Sequence, residues 1–227
     1  MTKVYLEPDE VGEIIKAAPT IRDELMIRLL FWLGCRISEL LAITVSDIDF
    51  SRQLVTIKHL KQRVSLSCPN CGSRLSRVAK FCPGCGQGIT EPIRKQQERH
   101  RQRQLSIDQA TLTQLKTFIK ECNLKGRIFN IGRNQAWLII RDAAIRAGIP
   151  KLLNPDTGKL KNVSPHRLRD SFAVMAVLHD DSTDGIRMLQ ERLGHSSIST
   201  TMRYRKVTGD QQREWFEKLA ESNGNEG

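Results

Sequence analysis

The sequence predicts a mainly α fold of the α+β kind: a helical body with a small antiparallel sheet, interrupted by a cysteine-rich insertion. Three observations predict it. Apolar residues recur at helical spacing in several long segments, as in Ile21, Leu25, Leu29, Leu30 and Leu33. Two β-branched or alternating segments, Gln53–Lys58 and Arg101–Ile107, stand roughly forty residues apart. The chain between them holds four of the six cysteines.

The elements follow in order. Pro8 and the acidic pair after it open a helix to about Ala18, with Val11, Ile14 and Ile15 inward. A second helix runs from Thr20 to Leu33; an arginine turn follows, and another helix begins near Ser38. Ser46–Asp49 reads as a turn, and Gln53–Lys58 as a strand whose partner is Arg101–Ile107. A hairpin connection normally takes two to five residues, so the chain between these strands is an insertion at a hairpin tip. Next come a helix from Asp108 to about Glu121, a helix capped by Asn134 and ending at Gly148, and a turn over Asn154–Gly158. Ser164 is a good N-cap and Pro165 a good first helical residue, which puts His166 in the first turn and Arg169 on the same face. A helix from Asp184 stops at a left-handed Gly194, a short polar helix begins at Ser199, and a last helix carries Trp215, Phe216 and Leu219.

Composition narrows the partners. There are 36 Lys and Arg against 25 Asp and Glu, a net charge of +11, with a pI near 9.7. That balance favours a polyanion, nucleic acid ahead of a membrane surface. Charge is concentrated in the insertion: Lys58 to Gln104 holds eleven Lys and Arg against Glu91 and Glu98, so it carries +9 of the total. The longest apolar run, Leu29–Leu33, is far short of a membrane span, and the first residues have no signal-peptide pattern. A soluble cytoplasmic, nucleoid-associated protein without a membrane partner is expected.

Such a protein does not need disulfide staples. Cys68/Cys71 and Cys82/Cys85 form two C-P-x-C turns, each followed by a glycine that lets the backbone bend over the sulfurs. Together they supply the four thiolates of a structural tetrahedral zinc site, with no open position for catalysis. A redox pair would account for one such turn but not for two with matched glycines. The apolar residues between them are few (Leu75, Val78, Ala79 and Phe81), so the ion is expected to supply most of the local stability. The unit is either a rigid clip between strands or, as its charge favours, a basic finger on phosphates. Cys35 and Cys122 read as small buried apolar residues.

Four further motifs stand in order: G-C-R-I-S-E-L from Gly34, H-R-L-R from His166, L-G-H-S-S from Leu193 and S-T-T-M-R-Y ending at Tyr204. Each polar residue has a duller reading alone, a surface histidine or a solvated arginine in a turn. Glu39, three residues after Arg36, can fix that guanidinium, whose planar fork matches phosphate oxygens. In this order the motifs suit attack on a phosphodiester. Together they resemble the catalytic domain of the tyrosine recombinase, or phage integrase, family, from about Leu6 to about Val207.

The resemblance implies a tyrosine-recombinase catalytic domain over residues 1–222, into which the cysteine turns insert a zinc ribbon at 64–100, and residues 223–227 read as a disordered tail. It implies a site-specific recombinase or integrase that breaks and rejoins DNA through a 3′-phosphotyrosine link, without ATP or a catalytic metal. Arg36 and Arg169 would clamp the non-bridging oxygens and Tyr204 would attack, its phenol favoured by cationic surroundings that include Arg203 and Arg205. His166 would take or guide the phenolic proton, and His195 would hydrogen-bond the phosphate or the nucleophile. Lys61, with Lys58 as the alternative, would protonate the leaving 5′-oxygen, although the insertion replaces the tight hairpin turn where the family places that lysine. The implied partner is double-stranded DNA, with a monomer in solution and a tetramer on DNA. Family members carry an N-terminal clamp domain, and few residues precede the first helix here, so a partner supplying that domain is also expected. A catalytically weak DNA-binding accessory protein is the alternative reading, and a type IB topoisomerase-like enzyme would share the chemistry.

Overall fold

In the computed structural model the described residues are 3–58, 63–76, 78–97, 102–154 and 157–205. The chain forms two compact units, one of residues 1–57 with 103–227 and one of 58–102. Lys61 and the expected last helix lie outside the described residues.

The larger unit is built on helices α1 (Pro8–Lys16), α2 (Ile21–Leu33), α3 (Ile37–Leu40), α4 (Gln109–Glu121), α5 (Arg133–Arg146), α6 (Pro165–His179), α7 (Thr183–Leu193) and α8 (Ile198–Arg205). Its caps follow from the sequence. The Thr20 hydroxyl accepts from the Asp23 amide, the Asp108 carboxylate from Thr111 and the Ser182 hydroxyl from Gly185. α2 is buried almost all round, which is why its apolar residues form more than one stripe. Leu25, Leu29, Leu30 and Leu33 lie in the core, whereas Ile21 is exposed in the first turn. Phe31 packs edge-on against Phe172 of α6 at 5.9 Å, joining the two central helices.

Strand β2 (Leu54–Lys58) lies between β1 (Ile48–Asp49) and β6 (Gln102–Ser106), so the two segments paired from sequence do share a sheet. The expected turn at Ser46–Asp49 is a 3-10 turn, Val45–Asp47, leading into β1, where Ile48 pairs with Val55. A two-residue strand is too short to show alternation. β7 (Leu152–Leu153) and β8 (Leu160–Lys161) form a second small ladder around the Asn154 turn. Two caps differ from expectation. Gly132, not Asn134, caps α5, and the Ser164 hydroxyl makes no capping bond although its backbone is extended as an N-cap requires. Cys35 is buried as expected, but Cys122 sits exposed at the end of α4, past the last inward-facing turn.

The smaller unit holds β3 (Arg63–Ser67) between β4 (Arg74–Leu75) and β5 (Ile93–Gln97), all antiparallel. Its apolar centre consists of Cys68, Leu75 and Cys82 with Leu66, Ala79 and Ile89 against them. Val78 is 86% exposed and Phe81 69%, so neither adds to this centre.

Gly34 ends α2 in the left-handed region at φ +57°, and a Cβ there would come within 2.8 Å of Phe172 Cδ1. A non-glycine residue costs about 1–2 kcal/mol in that conformation, before any displacement of the ring. Gly34→Ala is therefore expected to lose roughly 1–3 kcal/mol. The loss should be read as a lower urea midpoint at unchanged slope.

Candidate active site

Four elements deliver the polar groups singled out from the sequence. The left-handed stop at Gly34 turns the chain so that Arg36 becomes the N-cap of α3. Glu39, 2% exposed, receives the Arg36 amide on Oε2 and Arg36 Nη1 on Oε1, both at 3.0 Å. The guanidinium is thus held from behind while its remaining N–H groups face outward, half-exposed. Burial alone would raise the Glu39 carboxyl. The hydrogen bond and charge of Arg103, with the Arg36 amide and guanidinium, outweigh it and bring the carboxyl down to about 2.

Arg103 was not singled out from the sequence. It donates from Nη2 to Glu39 Oε2 at 2.8 Å and from Nε to the carbonyl of Arg192 at 2.8 Å. It therefore joins β6 to the arginine turn and to the end of α7. Its partner stands 64 residues away along the chain, and no local pattern announces such a bond.

Arg169 is 3% exposed. Nη1 donates to the Gly34 carbonyl at 2.6 Å, and Nη2 to the Leu193 carbonyl at 2.8 Å and to His195 Nε2 at 3.0 Å. An arginine only donates, so Nε2 is the acceptor and the proton of neutral His195 is on Nδ1, which donates to Thr201 Oγ1 at 2.9 Å. Burial, and then the positive charges of Arg169, Arg36 and Arg103, push the His195 pKa down to about 4. Burial and Arg36 likewise lower Arg169 to about 10, where it is still charged at neutral pH. His195 is thus bonded on both ring nitrogens, to Arg169 and to Thr201.

The His195 ring stacks on that of Tyr204, with centroids 6.3 Å apart and planes at 13°. α8 thus brings the tyrosine to the group that holds Arg169. Tyr204 Oη donates to Asp170 Oδ1 at 2.9 Å, and His166 Nε2 lies 3.7 Å from Asp170 Oδ2. Burial and the Asp170 charge and hydrogen bond raise the phenol well above its ordinary value, against the pull of Arg169. Of the cationic surroundings expected to favour phenolate, Arg169 pulls that way but is outweighed by burial and Asp170, and Arg205 pairs with Asp181 at 3.2 Å. His166 is 77% exposed on its side chain while Arg169 is buried, so the i+4 contact to Asp170, not the i+3 relation to Arg169, is the one α6 makes. That i, i+4 spacing of His166 and Asp170 was the available signal for the carboxylate. Lys58 ends β2 and is exposed.

A sequence profile for the phage integrase family matches residues 4–210. The chain belongs to the phage integrase family. The tyrosine recombinase XerA of Pyrococcus horikoshii is 27% identical over 213 residues, covering 94% of this chain and 60% of the relative. XerD of Corynebacterium glutamicum is 29% identical over 219 residues, covering 92% and 59%. The chain spans about three fifths of the length of these curated relatives. Among solved structures, XerA recombinase aligns at a TM-score of 0.62 with 22% identity, covering 96% of this chain and 64% of that one. The catalytic domain of bacteriophage HP1 integrase aligns at 0.56 with 18% identity, covering 95% and 94%. The mostly helical fold with small antiparallel sheets is the family's fold.

Within the smaller unit, the sulfurs of Cys68, Cys71, Cys82 and Cys85 lie within 4.8 Å of one another. Cys68 and Cys85 are 3.7 Å apart and Cys71 and Cys82 3.4 Å, close to the edge of a tetrahedron with ~2.3 Å metal–sulfur bonds. The two turns match: Gly72 donates to the Cys68 carbonyl at 3.0 Å and Gly86 to that of Cys82 at 2.9 Å, both glycines left-handed. The four thiolates fit a metal ion.

The neutral His195 has a pH signature. Unfolded histidine titrates near 6.5. On acidification the unfolded chain therefore binds that proton first, and the stability tied to neutral His195 is full above ~6.5 and lost as pH falls toward about 4. NMR of the ring is expected to place the midpoint near 4. His195→Gln should flatten the stability profile through this window.

Proposed function

We propose that this chain is the catalytic part of a site-specific DNA recombinase or integrase that forms a 3′-phosphotyrosine intermediate. The observation that carries the reading is the run of contacts from the Gly34 carbonyl through Arg169 and His195 to Tyr204, with Arg36, held by Glu39, two residues beyond Gly34. A phosphodiester resists attack because its oxygens repel a nucleophile. Fixed guanidinium groups offset that repulsion as charge develops. Arg36, fixed by Glu39, presents its free N–H groups to a non-bridging oxygen. Arg169 gives three N–H bonds to protein acceptors, and among the described residues its Nε–H and second Nη1–H are left for the phosphate.

Tyr204 Oη attacks phosphorus, the P–O5′ bond breaks, and the leaving oxygen takes a proton from Lys61 or, failing that, Lys58. His195 holds Arg169 and the face of Tyr204, and His166 takes the phenolic proton as Oη attacks. The new ester retains the energy of the broken one, so rejoining needs no ATP.

The partner on this reading is double-stranded DNA, engaged in the cytoplasm by a monomer that assembles to a tetramer. A cavity at the start of α6 supports a duplex contact: Lys151, Lys161 and Arg167 line it with Trp137. Two structural neighbours are the Tn1549 transposon integrase with transposon right end DNA and the XerH recombinase on difH DNA. The cysteine turns hold a structural zinc, which when bound supplies the closure that the thin apolar centre of residues 58–102 lacks. The basic surface of that unit adds phosphate contacts, which makes binding strongly salt-dependent.

A nicked suicide substrate tests the reaction. The wild-type chain is expected to give a covalent protein–DNA band on a denaturing gel, Tyr204→Phe none, and Arg36→Gln a rate roughly 10²–10³ lower. A wild-type chain that binds but never links would leave only an accessory DNA-binding role. Purified protein is expected to contain one zinc per chain by elemental analysis. Cys71→Ser should lose the metal and open residues 58–102 to protease while leaving the helical unit intact.

A further inference from the structure

We infer that Asp170 is a positioning residue that latches Tyr204, holding its hydroxyl against α6 until bound DNA draws it away. The inference rests on the proposal that Tyr204 is the nucleophile, and adds to it a restraint on when attack can occur.

The geometry is specific. Tyr204 Oη donates to Asp170 Oδ1 at 2.9 Å, and Asp170 is a buried carboxylate in the first half of α6. Its other oxygen has His166 Nε2 and Arg167 Nη1 at 3.7 Å each, beyond hydrogen-bond reach. The hydroxyl of Tyr204 is therefore the close donor that Asp170 has among the described side chains. The groups facing the phenol are Asp170 and Arg169 from α6, His195 from the turn after α7, and Tyr5 from the N-terminal segment. Of these only Arg169 favours phenolate, and it has already given three N–H bonds to other acceptors.

A carboxylate in this place has two roles open to it, base or restraint, and the geometry with the shift of the phenol decides between them. Tyr204 Oη is the donor of the bond. Burial, with the charge and hydrogen bond of the carboxylate, raises the phenol and so holds the proton on it. Asp170 thus accepts the hydrogen bond but does not take the proton. Its negative charge keeps Tyr204 in its neutral, weakly nucleophilic form, and the bond fixes the oxygen on α6. Release requires a competing set of contacts. A phosphodiester seated between Arg36 and Arg169 provides one, by placing an electrophilic phosphorus before the phenol while the carboxylate is left to His166 and Arg167. The latch then makes attack conditional on a seated phosphate.

The chain has two tyrosines, so Tyr5→Phe leaves Tyr204 as the sole phenol. In that background, phenolate absorbance followed with circular dichroism reads Tyr204 directly. The expected result is no phenolate before alkaline unfolding. With Asp170→Asn added, which keeps an acceptor oxygen but removes the charge, phenolate should appear at least one pH unit earlier in the folded protein. On the nicked substrate, Asp170→Asn is expected to link to DNA at least threefold faster at neutral pH, with its pH–rate profile displaced downward. Unchanged titration in Asp170→Asn overturns the latch. A rate that falls instead of rising also overturns it, and makes Asp170 a required base. If the wild-type chain gives no covalent product, the recombinase reading fails, but the absorbance titration still decides whether Asp170 restrains Tyr204.

Discussion

The buried guanidinium of Arg169 is the constraint on which the helical unit depends. Moving such a charge out of water costs several kcal/mol unless it is fully hydrogen-bonded. The acceptors here are carbonyls at two helix ends, Gly34 after α2 and Leu193 closing α7. Both ends carry partial negative charge from the aligned peptide dipoles. Both also stop at left-handed glycines, which turn the chain away and leave those carbonyls free of intrahelical partners. One residue on α6 therefore fixes where α2 and α7 terminate relative to it. The turns that follow, bearing Arg36 and His195, inherit their positions from that fix. Gly194 is required twice over, since a Cβ there would meet Arg103 Nη1 at 2.9 Å.

The same geometry accounts for the electrostatics. Arg36 and Arg103 both bond the buried carboxylate of Glu39, and the charge of Arg169 acts on the same site, so three guanidinium groups stand against the carboxylates of Glu39 and Asp170 before any ligand arrives. His195 stays neutral because a proton on Nε2 would both point at Arg169 and add a charge to this set. A histidine held neutral and used as an acceptor orients its arginine. The role follows from the donor–acceptor balance: a guanidinium has nothing to offer an imidazolium.

How far the sequence revealed this depended on the range of each interaction. Local signals were dependable for the backbone and less so for side-chain caps. The left-handed stop at Gly194 stands as read, whereas Gly132 takes the capping place read for Asn134 and the Ser164 hydroxyl makes no capping bond. Arg36 with Glu39 was also legible, being an i, i+3 pair at a helix start. What joins distant segments was not. Arg103 reads as one more basic residue in an alternating strand, and only its 2.8 Å bond to Glu39 gives it a role. Asp170 directly follows the H-R-L-R motif, yet its importance depends on Tyr204, 34 residues on. Burial was misjudged where apolarity was taken for inwardness, as with Ile21 and Cys122, each exposed at a helix end.

The insertion shows how a hairpin accommodates so much extra chain. Loop-closure entropy grows only with the logarithm of length, so lengthening a connection from a few residues to the span of 58–102 costs little more than about 2 kcal/mol. That small cost holds if the added segment does not drag disorder into the strands. β2 and β6 remain sheet neighbours. Between them, β3, β4 and β5 complete their own ladder, and four sulfurs gather where apolar side chains are too few to do so. A unit with Leu75 as its one buried aliphatic side chain among the described residues cannot order about forty residues by hydrophobic burial, which at ~25 cal/mol per Å² falls far below the conformational entropy. Metal–thiolate bonds are the remaining source of order that its chemistry offers. A metal held by the four cysteines would couple the order of the insertion to metal supply, whereas the helical unit has its own extensive apolar core.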